Sequence, residues 1–164
     1  MHGNRDFLCG KKFAEDANIT ILPDPFFIDY FDQKIALSHG DDFCTDDLKY
    51  IEFKKEVRSS LWQEDFLHKS LDERKKIASN MRDASQSNKD KKDLSIMDVT
   101  ANTIHKFFIQ NDISLLIHGH THRPNTHQIS ESGINGMRIV LGDWHDTGWC
   151  LTLEDQKRTL EEFK

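Results

Sequence analysis

Four of the nine histidines in this chain fall within ten residues of one another. This cluster is the part of the sequence whose residue type and spacing most clearly indicate a metal site. Three of them, His118, His120 and His122, directly follow the apolar run Leu115-Leu116-Ile117. Neutral imidazole is the commonest protein ligand for transition metals, and open sheets place their sites just beyond the carboxyl ends of strands. Gly119 favours a turn, which lets each imidazole point separately. We therefore expect His120 and His122 to bind metal and His118 to hold the loop by hydrogen bonds.

Two further donor residues stand at the ends of other segments. His39 follows the apolar run 35–38, and Asn4 lies in the turn-like segment Gly3-Asn4-Arg5-Asp6. The asparagine carbonyl is a hard, neutral oxygen donor that suits Mn²⁺ or Mg²⁺. None of the three cysteines lies near the histidine cluster, which argues against a structural zinc site. Each residue alone would be a turn former or a surface residue, but their combination indicates a metal site.

Short apolar runs and helix-forming stretches indicate an α/β fold in which a strand-rich body is interrupted by a helical insertion. The runs that predict strands are 26–31 and 34–38, which form a hairpin, then 114–117, 137–141, and a closing hairpin of 148–153 and 159–163. Helix formers occupy residues 47–81 and 96–110, and the polar stretch 85–93 predicts a loop or a helix end. We expect a single domain, 1–164, with the insertion at about 47–98.

Composition excludes several classes of protein. The chain has 164 residues, 37% of them hydrophobic, and its 22 basic and 28 acidic side chains give a net charge of −6. No apolar run reaches the ~18–20 residues needed to cross a membrane, and the N-terminus lacks a signal-peptide pattern. An odd number of cysteines fits the reducing cytosol better than a disulfide scaffold. The acidic balance disfavours general nucleic-acid binding.

Three segments together resemble motifs of the calcineurin-like metallophosphoesterases: Gly3-Asn4-Arg5-Asp6, Ser38-His39-Gly40-Asp41 and His118-Gly119-His120-Thr121-His122-Arg123-Pro124. The general superfamily has histidine where this chain has Arg5. Arg5 is one of several features that resemble the family of UDP-2,3-diacylglucosamine hydrolases. The others are the segments Phe43-Cys44-Thr45-Asp46-Asp47, Met81-Arg82 and Ile96-Met97-Asp98-Val99. Members of that family release UMP and 2,3-diacylglucosamine 1-phosphate in the lipid A pathway. The resemblance runs from Met1 to near the C-terminus.

The resemblance implies a fold of two sheets packed face to face and flanked by helices, with a helical lid and two Mn²⁺ ions at one sheet edge. It implies that Asn4, His39 and His120 bind one metal and that His122 binds the other. The substrate-binding positions that it implies are Asn4, Arg5, Asp47, Ser85, Lys89, Lys92 and His120. Arg5 would bind phosphate, for which a planar guanidinium is well suited.

The helical insertion then has two interpretations. Residues 47–93 hold 12 basic and 10 acidic side chains, which on charge alone favours a solvated helical face. The functional alternative is a cationic surface for an anionic substrate, with apolar side chains lining an acyl-chain groove. Those side chains are Leu61, Trp62, Phe66, Leu67 and Leu71, and some of them are expected simply to pack the helices together.

Two motifs of the family, D-x-H on a first strand and a later G-D-x-x-[DE], do not stand upstream of Gly3. In the family they supply the bridging Asp, two further ligands of one metal and several strands. We therefore expect this chain to be a C-terminal portion of the enzyme that lacks N-terminal strands. Alone, it is expected to bind at most one Mn²⁺, weakly, and not to hydrolyse substrate unless Asp41 or Asp143 replaces the absent ligands.

The sequence is compatible with three functions. The first is Mn²⁺-dependent hydrolysis of UDP-2,3-diacylglucosamine by the complete enzyme, in the cytoplasm and peripherally at the inner membrane through the lipid substrate. The second is a catalytically silent fragment that binds substrate or one metal only. The third, another metallophosphoesterase acting on nucleotides or phosphoprotein, is disfavoured by Arg5 and by the segment from Ser85 to Lys92. The oligomeric state, the roles of Asp143 and His145, and any role of His118 beyond holding the loop are left open.

Overall fold

A mixed five-stranded sheet is the centre of one of the two compact units into which the computed structural model divides the chain. This sheet unit comprises residues 1–44 and 99–164, and the helical unit comprises residues 45–98. The structure describes residues 1–89, 98–130, 133–155 and 157–164, without the side chains of residues 85–89. Within those residues, no helix combines the length and the apolar character needed to span a membrane.

The helices are α1 (Lys11–Asp16), α2 (Leu48–Val57), α3 (Ser60–His68), α4 (Leu71–Lys89) and α5 (Ala101–Asn111), with a 3₁₀ turn at Asp41–Phe43. The strands are β1 (Phe26–Tyr30), β2 (Gln33–Ser38), β3 (Leu115–His118), β4 (Asn125–Ile129), β5 (Gly136–Val140), β6 (Gly148–Glu154) and β7 (Lys157–Phe163).

Three parallel strands set the edge at which the predicted metal ligands meet. The sheet order is β1-β2-β3-β5-β4, and β2, β3 and β5 run parallel while the two outer strands are antiparallel to their neighbours. Ser38, His118 and Val140 are aligned across the three strands. The loops that follow these residues therefore leave the same edge of the sheet, where open α/β sheets carry their sites.

The alternating sides of the central strand bury two different layers. Leu115 and Ile117 face a cluster that includes Ile35 and Ile139, against which side chains of the β6–β7 hairpin pack. Leu116 faces the opposite layer, where the apolar stripe of α5 is buried. Because successive strand residues point to opposite faces, one four-residue strand joins both layers. The expected α/β architecture, with two sheets packed together and helix α5 outside, is confirmed.

The first hairpin and several helices have boundaries that differ from the expected ones. The first hairpin turns at Phe31 and Asp32, one residue earlier than expected, and both residues have positive φ, as the twist of a tight two-residue hairpin requires. The helical stretch 47–81 divides into three helices. The polar stretch that begins at residue 85 continues α4 as far as Lys89, and the helix expected from Ile96 begins only at Ala101. Helix α1 and strand β4 were not predicted.

Serine and aspartate side chains start the helices of the helical unit. Asp47 accepts a hydrogen bond from the backbone N–H of Tyr50, and Ser59 accepts one from that of Trp62. Ser70 and Glu73 form a reciprocal capping box at the start of α4. The hydrogen bonds that Ser70 donates to Glu73 hold the pKa of this carboxyl below its usual range, because they favour the charged form. These caps explain why one helix-forming stretch is cut at Ser59 and Ser70.

Helix α5 offers a matched test of which of its faces is buried against the sheet. Ile104 is 3% exposed and Ile109 is 59% exposed, and both lie in the same helix. Ile104→Ala should lower the free energy of unfolding by about 2–5 kcal/mol because it leaves a cavity. Ile109→Ala should change it by less than about 0.5 kcal/mol. Urea unfolding followed by circular dichroism measures both, and equal losses would contradict this assignment of the buried helix face.

Candidate metal centre

His39 and His120, two of the predicted ligands, face each other at the edge of the sheet. The Nε2 atom of His39 lies 3.2 Å from the Nδ1 atom of His120, and the two rings meet at 74° with centroids 5.0 Å apart. Two nitrogens bound to one ion at about 2.1 Å lie about 3.0–3.4 Å apart in octahedral or tetrahedral geometry. The observed separation therefore fits two donors to a single metal ion.

Backbone contacts hold His39 in place from two sides. Its N–H donates to the Oδ2 atom of Asp24 over 2.9 Å, and its carbonyl accepts the N–H of Gly119 over 3.1 Å. The second bond joins the loop after β2 to the loop after β3. The position of one predicted ligand is thus tied directly to the segment that carries His120.

The N-terminal loop lies against the His39 ring. A Cβ atom added to Gly3 would be 3.1 Å from the Cε1 atom of His39, and the Gly3 N–H donates to Asp6 over 2.6 Å. The loop that carries Asn4 therefore approaches the histidine pair, whereas the Asn4 and Arg5 side chains are exposed. The assignment of Asn4 as the third ligand of this metal stays a prediction.

The histidine loop turns immediately after β3 instead of continuing the strand. His120 and His122 have φ of 64° and 53°, in the left-handed region, and the N–H of Thr121 donates to the carbonyl of Gly119 over 2.8 Å. Histidine is one of the few non-glycine residues enriched in this region, and such conformations cluster at functional sites. The turn expected from Gly119 is observed.

His118 is buried, with 1% of its surface exposed, and both ring nitrogens have partners. Nδ1 lies 3.0 Å from the carbonyl oxygen of Gly119, and Nε2 lies 3.1 Å from Nη1 of Arg138. Since a guanidinium only donates, Nε2 is the acceptor and Nδ1 carries the proton. These partners assign His118 as a neutral ring that holds the loop, the role expected of it from the sequence.

A second cluster lies between the loops after β3 and β5. The Oδ2 atom of Asp143 lies 3.2 Å from Nδ1 of His122 and 3.3 Å from Nε2 of His145. In the sequence, the position of Asp143 just beyond a predicted strand could have indicated that this residue lies at the sheet edge. Its contacts with His122 and His145 depend on tertiary structure and could not be predicted. His122 is about half-exposed.

The other predicted site residues belong to the helical unit or to the segment that follows it. Asp47 is buried and caps α2, which gives its carboxylate a structural role. Lys92 and the side chains of Ser85 and Lys89 lie outside the described residues. Among the described residues, no group of three or more His, Cys, Asp or Glu side chains is arranged to hold a metal ion. Asparagine is not among those residue types, so this finding does not test Asn4.

Gly40 and Gly119 provide a matched test of how the two loops approach each other. Gly40 has φ of 106°, and an added Cβ would lie 2.6 Å from Nδ1 of His118, whereas a Cβ on Gly119 would come no closer than 3.7 Å to the carbonyl of His39. We expect Gly40→Ala to cost at least about 2 kcal/mol through backbone strain and overpacking. Gly119→Ala should be tolerated. Thermal unfolding measures both, and equal melting temperatures would contradict the described close approach.

The sequence profile of the calcineurin-like phosphoesterases matches residues 1–124. A UDP-2,3-diacylglucosamine hydrolase of Cellvibrio japonicus (strain Ueda107) is 44% identical over 151 residues, which are 92% of this chain and 63% of that protein. The protein of the same name from Yersinia pestis bv. Antiqua (strain Angola) is 43% identical over 148 residues, 90% of this chain and 62% of that protein.

A solved structure of Vps29 complexed with Zn²⁺, from Entamoeba histolytica, aligns with a TM-score of 0.42 and 14% sequence identity, over 94% of this chain and 69% of that one. The chain spans slightly less than two thirds of the length of the curated relatives given above. The family match, in contrast, includes every predicted metal ligand from Asn4 to His122. The chain therefore belongs to the calcineurin-like phosphoesterase family.

Proposed function

We propose that the protein containing this sequence hydrolyses the diphosphate bond of UDP-2,3-diacylglucosamine to UMP and 2,3-diacylglucosamine 1-phosphate, a step of lipid A synthesis. The observation that carries the proposal is the 3.2 Å approach of His39 and His120 at the carboxyl edge of the parallel strands. Relatives with 43–44% identity, named for this hydrolysis, support the choice of substrate. Arg5, which replaces the usual histidine of the superfamily, supports it as well.

The family implies dependence on a divalent metal, and we propose Mn²⁺. The paired nitrogens of His39 and His120 fit one ion, to which Asn4 would add a carbonyl donor, and His122 would bind the second. When bound, the two ions supply an activated water and neutralise charge on the phosphoryl oxygens. The chain's own residues hold donors in place: Asp24 accepts the His39 N–H, and His118 anchors the loop of His120.

Arg5 and the helical unit are proposed to bind the anionic part of the substrate. A guanidinium contacts two phosphate oxygens at once, which a lysine ammonium cannot reproduce. The net positive charge of residues 47–93 would attract the diphosphate, and Lys89 and Lys92 belong to this segment. Asp47 would contact substrate in addition to capping α2.

The apolar residues of the helical unit divide into two groups by exposure. Phe66 is buried and stacks on Trp62, one turn earlier in the same helix, with ring centroids 4.9 Å apart. Leu61, Leu67 and Leu71 are 78%, 52% and 58% exposed. We propose that these leucines contact the acyl chains, and that the lipid substrate brings the protein to the cytoplasmic face of the inner membrane.

A second candidate function is a catalytically silent chain that binds one metal or substrate without turnover. It is favoured by the finding that the described residues include no group of three His, Cys, Asp or Glu side chains suited to a metal.

One pair of measurements separates the two candidates. Mn²⁺ is titrated calorimetrically into the 164-residue chain, and UMP release is assayed for the chain and for a chimera in which it replaces the matching part of the Cellvibrio relative. Mn²⁺-dependent UMP release by the chimera would support hydrolysis by the complete protein. Metal binding without turnover in both proteins would favour the silent chain, and absence of both would refute the metal assignment.

His39→Ala in the chimera should lower kcat/KM at least about 100-fold, because it removes a direct metal ligand, and even outer-shell substitutions cost 10–100-fold. His68→Ala, an exposed histidine of α3, is the control and should leave the rate unchanged. The measurement is UMP release across a range of Mn²⁺ concentrations. A His39→Ala protein with the wild-type rate would remove His39 from the metal site.

Leu61→Ser combined with Leu71→Ser should weaken binding of the acylated substrate selectively. Loss of apolar contact with an acyl chain costs on the order of 1–3 kcal/mol per side chain. The test compares KM for UDP-2,3-diacylglucosamine with KM for an unacylated UDP-sugar analogue. Phe13→Ser, at an apolar residue 52% exposed in the sheet unit, is the control. Equal losses on the two substrates would argue against acyl-chain contact.

A further inference from the structure

We propose that Arg138 is a positioning residue for the pair formed by His39 and His120. Its guanidinium donates to the buried ring of His118, and that ring in turn holds Gly119, the residue that joins the loops of the pair. The inference rests on the proposed function in that it takes the two histidines of the pair as metal ligands. It gives a role to a charged side chain that lies in the interior of the sheet unit.

The strand register places Arg138 where its side chain can reach the end of the neighbouring strand. Arg138 of β5 is aligned with Leu116 of β3, so the two side chains lie on the same face of the sheet, the face that packs against α5. His118, two residues beyond Leu116, points to that face as well. The long arginine side chain therefore extends along the sheet by two residues and brings Nη1 to 3.1 Å from Nε2 of His118.

Two hydrogen bonds determine independently which nitrogen of His118 carries the proton. A guanidinium only donates, so Nε2 accepts from Arg138. A backbone carbonyl only accepts, so Nδ1, which lies 3.0 Å from the carbonyl oxygen of Gly119, is the donor. Both bonds require the same tautomer of the neutral ring. Arg138 thus favours the one form of the His118 ring that can hold Gly119.

Gly119 transmits this constraint to both predicted ligands. Its carbonyl also accepts the N–H of Thr121 over 2.8 Å, which closes the turn that carries His120. Its N–H donates to the carbonyl of His39 over 3.1 Å. The 3.2 Å approach of the His39 ring to the His120 ring therefore depends on a chain of hydrogen bonds that begins at Arg138.

Apolar packing does not account for a guanidinium at this position. Arg138 is 8% exposed, and burying a cation has a desolvation cost that burying an aliphatic side chain does not have. Methionine would fill similar space without that cost, but its side chain has no hydrogen to donate. Lysine keeps a donor on an unbranched chain. Arg138→Met and Arg138→Lys therefore separate the loss of the donor from a change in packing.

The first measurement needs no variant and reads the His118 tautomer in the metal-free, ¹⁵N-labelled 164-residue chain. Long-range ¹H–¹⁵N spectra at pH 8, where ordinary histidines are neutral, distinguish a protonated Nδ1 from a protonated Nε2. We expect a protonated Nδ1, because Arg138 can only donate to the other nitrogen. A protonated Nε2 would overturn the proposal.

Amide hydrogen exchange then measures how firmly Gly119 is held. Its exchange rate is divided by that of the Leu116 amide in the central strand, so that the ratio reports local opening and not global stability. Arg138→Met should raise this ratio at least about 10-fold, and Arg138→Lys should raise it less than about 3-fold. Ile104→Ala removes core packing from α5 but no donor to His118, and it should leave the ratio unchanged.

Two results of the exchange measurement would contradict the proposal. An unchanged ratio in Arg138→Met would show that the donor does not hold Gly119. Equal increases in Arg138→Met and Arg138→Lys would show that the shape of the side chain matters and its hydrogen bond does not.

Mn²⁺ added to the same proteins tests the effect on the ligand pair. The Mn²⁺ concentration that half-broadens the ring signals of His39 and His120 should rise about 10-fold in Arg138→Met and stay unchanged in Ile104→Ala. Equal midpoints in all proteins would overturn the positioning role. If Mn²⁺ broadens neither ring in the wild type, the metal assignment under the proposed function fails, and the tautomer and the exchange ratio still decide whether Arg138 holds the loop.

Discussion

The close approach of three strand ends around His118 is the constraint on which the site depends. The His118 carbonyl accepts the N–H of Leu141, its ring accepts from Arg138, and the next residue, Gly119, donates its N–H to the carbonyl of His39. One buried residue and its neighbour thus link the loops after β2, β3 and β5. Displacing the bond between Gly119 and His39 would shift the two loops that carry His39, His120 and His122.

Three histidines in a five-residue segment have different roles because their partners differ. His118 lies in the interior, where Arg138 donates to Nε2 and a backbone carbonyl accepts from Nδ1, so neither nitrogen is available to a ligand. His120 faces the ring of His39, and His122 faces a carboxylate. The identity of the neighbouring donor or acceptor decides which nitrogen is protonated, and hence which atom each ring offers.

The sequence supports prediction where local pattern and tertiary environment agree. The apolar run that becomes β3 is buried throughout, and the ligand positions were found because they follow such runs. Strand β4 was missed because most of its residues are exposed and polar, so no alternation marks it. The contacts of Asp143 with His122 and His145 depend on a loop that a long-range hydrogen bond joins to β3, and no local sequence pattern predicts such a bond.

The histidine loop holds two predicted ligands in a backbone conformation that the rest of the sheet edge stabilises. His120 and His122 occupy the left-handed region, at a cost on the order of 1–2 kcal/mol each, which an isolated loop would relax. The surrounding bonds to His118, His39 and Asp143 hold both residues in that conformation. Donors that are held in place in this way bind more tightly than mobile ones, because less ordering is left for binding to supply. The same dependence means that ligand geometry is sensitive to substitutions such as Gly40→Ala that touch no predicted ligand directly.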